Sequence, residues 1–323
     1  MDLYQITILP ADPNRHFAAI ARLMNTQETE PNTAESLAEW YNKQLEDGVK
    51  FAVAVTSGDK VVGFDGLYCA NLNRDRYFGI YLIVARDSWG HRLGSMLHGH
   101  LHTQATGLGA HTLRALVRDD CDEGIRFATK RGFVEKKHSI EMMLDLTSWD
   151  DSLYEPTLGA LRTQGFQFTN MADLGDTQDA RRKLFVLNNS ASATDPGSDG
   201  IPPWASFEEF EKDVCNSSWY RPEAQIVAID THTGEWAAMS AITVFSGADH
   251  AYNLFTGTDV RYRGRKLAQA VKALALRKAR TFGVGVVRTS RNSENAAMIT
   301  IDTKLGYIRT PGKLIMEKEL EHA

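Results

Sequence analysis

The feature that most constrains this chain is a repeat. Residues from Trp89 to Phe133 lie over residues from Arg263 to Tyr307 without a gap. Gly90 meets Gly264, Leu93 meets Leu267, Gly109 meets Gly283, Arg114 meets Arg288 and Gly132 meets Gly306, every pair 174 residues apart. Few residues are identical, but the positions of glycine, the basic residues and the closing aromatic are kept. Self-similarity over such a span means two copies of one structural plan. Two domains is also what a length of 323 residues suggests.

Each copy reads in the same order. Apolar alternation marks strands at "KFAVAVT", "KVVGFDGLYCA" and "RYFGIYLIVA" in the first, and at "AQIVAID", "EWAAMSAITVF" and "HAYNLFTGTDV" in the second. A helix, a strand, a short helix and a last strand follow in both, with glycines closing the helices. The expected fold class is α/β (α+β), with two domains, each a mixed, mostly antiparallel sheet flanked by helices. The first is expected over residues 1–148 and the second over 166–323, with 149–165 as a connecting helix. The Ser-, Gly-, Pro- and Asp-rich stretch 188–203 reads as a long loop in the second copy.

Composition removes several function classes. Hydrophobic residues at 43% suffice for two cores, and a net charge of −5 lacks the basic footprint that nucleic acid requires. The three cysteines, Cys69, Cys121 and Cys215, show no C-x-x-C spacing, which argues against a zinc ribbon or a disulfide framework. His98 and His102 have a metal-capable i, i+4 spacing, but no third ligand is evident, so no metal is expected. No apolar run reaches membrane-spanning length and no secretory leader is visible. A cytoplasmic protein without nucleic-acid or membrane partners is the expectation.

The chemistry concentrates in "RGRKLA", residues 263–268, between a strand and a helix. A helix start offers unpaired N–H groups and the positive end of the helix dipole, which together bind anions. Gly264 lets backbone approach a ligand closely. Arg263, Arg265 and Lys266 add cations where the dipole disfavours them, which points to a bound anion.

This segment resembles the pyrophosphate loop of GNAT N-acetyltransferases, with Lys266 in place of that family's usual middle glycine. Asn292, Asn295, Met298, Leu305 and Gly306 are similar to the T-x-x-N-x-x-N-x-x-M…LGF/Y signature of its tandem members, the mycothiol-synthase-like group. The resemblance implies acetyl-CoA as co-substrate, with Thr258, Val260, Arg263, Gly264, Arg265, Lys266, Leu267, Ala268, Asn292 and Asn295 around it. That family often has a tyrosine as proton donor where this chain has Asp302. Candidate proton-handling residues on or beside the central strand are Asp259, His250 and Tyr252. In the first copy, Trp89 stands at the place of Arg263, Arg92 at Lys266 and Cys121 at Asn295, so that copy is expected to be degenerate. The activity implied is direct transfer of an acetyl or other short acyl group to a primary amine of a small molecule. The alternative is a non-catalytic acyl-CoA-binding or regulatory protein of the same fold.

Overall fold

The computed structural model describes residues 6–28, 31–45, 49–56, 58–70, 76–196, 198 and 202–320. The chain forms two compact units, Met1–His138 with Lys313–Ala323, and Ser139–Gly312.

The first unit begins with β1 (Thr7–Pro10), α1 (Pro13–Met24) and α2 (Ala34–Lys43). Asp12 caps α1, its carboxylate accepting from the Asn14 and Arg15 amides at 2.8 and 3.1 Å, and Pro13 supplies the preset first residue. Then come β2 (Lys50–Val55), β3 (Val61–Cys69), β4 (Tyr77–Val84), α3 (Leu93–Gly107), β5 (Thr112–Arg118) and α4 (Asp122–Thr129). Strands β1 to β4 pair antiparallel in chain order, and β5 joins β4 parallel. On one face Phe17 and Ile20 pack against Phe51, Val53 and Phe64. Leu101 and Ala105 pack against Leu67 and Leu113.

Next in the chain are β6 (Val134–Asp145), α5 (Glu155–Thr163), β7 (Phe166–Asn170), α6 (Gln178–Ala193) and α7 (Phe207–Phe210). They are followed by β8 (Gln225–Asp230), β9 (Trp236–Thr243), β10 (Ala251–Thr258), α8 (Leu267–Arg280), β11 (Val286–Asn292), α9 (Ala296–Leu305) and β12 (Ile308–Glu319). In the second unit β7 to β10 pair antiparallel in chain order and β11 joins β10 parallel. The spacing of 174 holds for both ends of β4 and β10, of β5 and β11, and of β6 and β12. Of the stretch expected as a long loop, 188–193 continues α6, while 197 and 199–201 lie outside the described residues.

The last strand of each copy leaves its own copy. From Ser139 to Asp145, β6 pairs with β11, and from Lys313 to Glu319, β12 pairs with β5. Ile140, Met142 and Leu144 of β6 join the core of the second unit beside Val287, whereas Leu314 and Met316 of β12 join Leu113 and Phe133 in the first. The division between the units therefore falls at His138/Ser139 and Gly312/Lys313, away from the repeat boundary expected near Ser148.

Candidate active site

Both units build the same anion-ready turn. Gly90 and Gly264 have φ of 78° and 79°, and Arg92 and Lys266, the residues before α3 and α8, have φ of 60° and 65°. A left-handed conformation is costly for residues with a Cβ, so its presence at both basic positions marks a constrained turn. Neither helix start has a side-chain cap, which leaves the first amides open to a ligand.

The units differ in what lies beneath that turn. In the first, β4 and β5 pair only over Tyr77–Ile80 and Thr112–Ala115, then part. A cavity of about 550 Å³ occupies the parting. Trp89, Gly90, Arg92 and Gly94 line it at the helix start, Leu82 to Val84 and Leu116 to Arg118 along the strands, and Cys121 and Ala128 on the α4 side. Glu28, Tyr68, Tyr81 and Lys313 line it as well, with Lys313 opposite Arg118 in the register of β5 and β12. The Tyr68 and Tyr81 rings stack at 5.1 Å, and the Glu28 carboxylate pairs with the Lys313 ammonium. Burial pushes both phenols up, so they stay protonated. Burial, with Arg131 and Lys318 nearby, pulls the His98 imidazole down to about 4.

In the second unit the matching wedge is filled by polar side chains. Lys272 and Asp302, both 0% exposed, form an ion pair, and Arg291 Nε donates to Asp302 at 3.0 Å. Arg291 Nη2 also donates to Asn253 Oδ1 at 3.1 Å. At the same spacing of 174, the first unit has His98, Ala128, Val117 and Gly79 at these four places. His98, Ala128 and Val117 all line its cavity. Burial pulls the Lys272 ammonium down, Arg291 adds to this, and Asp302 opposes it.

The residues after α6 engage the expected coenzyme-binding residues of that unit. Arg263 donates to Thr194 Oγ1, Asn295 Nδ2 to an Asp195 carboxylate oxygen, and Asn292 Nδ2 to the Pro196 carbonyl at 3.0 Å. Burial raises the Asp195 carboxyl despite Arg291, Asn295 and Arg263 nearby. Of the other expected residues, Thr258 ends β10, Val260 is exposed, and Arg265 lies over the Phe166 and Tyr262 rings at 6.0 and 5.6 Å. Leu267 points into the core, and Ala268 lies in the first turn of α8.

The expected proton-handling residues do not converge. Asp259 accepts from the Arg261 backbone at 2.9 Å and from its guanidinium at 3.0 and 2.9 Å, which holds its carboxyl below the usual range. His250 is buried with Nδ1 2.9 Å from the exposed Asp249 carboxylate. The Tyr252 hydroxyl donates to Ser290 Oγ at 2.9 Å. Sequence reasoning passed over Glu28, Tyr68, Tyr81 and Leu116; the available signal was that Val117 and Ala128 stand where the second copy has Arg291 and Asp302.

Residues 17–133 match the model of the Acetyltransferase (GNAT) family. That stretch is a GNAT acetyltransferase domain. With it the chain is an acyltransferase enzyme, and the match falls on the copy expected to be degenerate. Along its whole length the chain is similar in fold to a GCN5-related N-acetyltransferase from Sphaerobacter thermophilus, at 16% identity and a TM-score of 0.73, covering 98% of this chain and 96% of that one. It is also similar to a tandem GNAT protein from the clavulanic acid biosynthesis pathway, at 15% identity and a TM-score of 0.72, covering 99% and 100%. No curated protein matches the chain. The fold is thus that of tandem GNAT proteins, while the mycothiol-synthase-like grouping gains no support from these likenesses. Among the described residues no helix is long and apolar enough to cross a membrane.

Proposed function

We propose that the first unit holds the acyl donor, acetyl-CoA, and that the acyl group passes directly to a primary amine of a small molecule. The observation that carries this reading is the cavity at the parting of β4 and β5, lined both by the uncapped start of α3 and by Glu28, Tyr68 and Tyr81. The Leu93 and Gly94 amides, with Arg92, suit a diphosphate. The pantetheine arm would run between the parted strands. Beyond Ile80 the β5 side of β4 has no pairing with β5, so a backbone N–H there is free to polarise the thioester carbonyl. The amine nitrogen attacks the carbonyl carbon, the C–S bond breaks, and the sulfur leaves with the bond pair. Tyr81 is the candidate donor of a proton to that sulfur, and Glu28 the candidate acceptor of the proton that the amine loses. This reading moves the coenzyme site from the turn at Arg263 to the turn at Arg92, because Thr194, Asp195 and Pro196 engage the polar groups of the second unit.

Calorimetric titration with acetyl-CoA tests the assignment. Arg92→Ala and Leu116→Trp should each weaken binding about tenfold, and Arg263→Ala should leave it unchanged; the opposite pattern returns the site to the second unit. Neither copy has a tyrosine at the Ala128 or Asp302 position, so the proton donor to the leaving sulfur is placed elsewhere, at Tyr81. Release of coenzyme A over a panel of amines, lowered in Tyr81→Phe and Glu28→Gln, checks these two roles.

A further inference from the structure

We propose a second ligand site in the first unit: a cavity of about 300 Å³ between α3 and the β1–β3 strands takes the ammonium head of a small aliphatic monoamine on the buried Asp65–His100 pair. The site is independent of the cavity at the parting of β4 and β5, and it does not depend on where the acyl donor binds.

The register places Pro10 opposite Ala52 and Ala52 opposite Asp65, so these three share one face of the sheet. His100, Leu101 and Gln104 of α3 line the same cavity, with Leu67 as apolar wall on the Asp65 face. Asp65 is 3% exposed, and its Oδ2 lies 2.8 Å from His100 Nδ1. A carboxylate has two oxygens and about four acceptor positions. One imidazole leaves most of them unused in a place where water is scarce, and such a group gains most from a charge-assisted donor. Burial has pushed the Asp65 carboxyl up to about 6, against the pull of His100, so it carries its charge at neutral pH.

An ammonium supplies the missing charge and up to three donors, and a short alkyl chain fits the apolar wall. The charge of Lys50, whose Nζ reaches Gln104 Oε1 at 3.3 Å, lies on the same lining and repels a second cation. This sets monoamines above diamines. A metal ion fits poorly, because the pair offers two ligands, and no group of three or more His, Cys, Asp or Glu side chains gathers among the described residues.

The test is a titration of the full chain with n-butylammonium chloride, followed by amide chemical shifts, against n-butanol and 1,4-diaminobutane at matched ionic strength. Saturable shifts centred on Asp65, His100 and Leu101 are expected, with n-butanol inert and the diamine weaker. Asp65→Asn should weaken n-butylammonium about tenfold or more. Gln104→Trp, at a half-exposed position on the lining, should obstruct entry and weaken it as well. A wild-type chain without saturable shifts, shifts centred on Trp89 and Cys121 instead, or a folded variant of either kind that binds as the wild type does, each overturns the site.

Discussion

Arg92 and Lys266 sit in the same left-handed conformation, one beside an open cavity and one beside a filled wedge. Strain at a residue with a Cβ costs about 1–2 kcal/mol, and glycine would remove it while adding about 0.5–1 kcal/mol of unfolded-state entropy. Both Arg92→Gly and Lys266→Gly should therefore stabilise the fold slightly, by up to about 1 kcal/mol, in urea unfolding. Only Arg92→Gly should also weaken acetyl-CoA, if its guanidinium holds the diphosphate. Asp65 gives a pH-dependent counterpart. Its folded pKa lies near 6, above 3.8. Its contribution to stability is thus full below 3.8 and lost as pH rises through about 6. A shift of that size corresponds to roughly 1–3 kcal/mol. Asp65→Asn removes the titration, so melting temperatures of variant and wild type should diverge in the variant's favour between pH 4 and about 7. Parallel profiles would show that Asp65 does not titrate as argued.

At the scale of elements, the contrast lies between two wedges of the same plan. α8 and α9 meet across Lys272 and Asp302, while α3 and α4 bring only His98 and Ala128 to the matching places. Asp302→Ala would leave Lys272 and Arg291 without their shared carboxylate, and breaking such a buried pair costs about 3–5 kcal/mol. Denaturant midpoints should show that loss. The Thr194–Pro196 segment bears on stoichiometry. The wild-type chain should bind one equivalent of acetyl-CoA in calorimetry. Asp195→Ala frees Asn295 and should leave the first site's affinity unchanged; a doubled stoichiometry in the wild type would show that the second turn is also in use.

For the whole molecule, the exchanged strands decide how the chain can be divided. A fragment 1–148 keeps β6 without β11 and leaves the β5 edge without β12, and an unpaired edge invites aggregation. A chain in which residues 139–312 are replaced by a long flexible linker restores the β5–β12 pairing. The first should give poorly dispersed amide spectra or precipitate, and the second a folded spectrum. A soluble, folded 1–148 fragment would show that the exchange is dispensable.

The sequence by itself determined the two-copy plan, the order of elements and the turns at Gly90 and Gly264, because periodicity, glycine spacing and constant offset are local properties of the chain. The tertiary structure alone decided two matters. One is strand partnership: β6 and β12 each set buried apolar residues two apart, at Ile140, Met142 and Leu144 and at Leu314 and Met316, and a period of two fixes a face but names no neighbour. The other is which side chains lie buried in the wedge of each copy. The motif is richer at Arg263, yet the space there depends on Lys272, Asn253, Arg291 and Asp302, which are 9 to 39 residues beyond or before it along the chain. Volume is set by side chains that meet from different elements, and a motif read along one strand and one helix does not contain it.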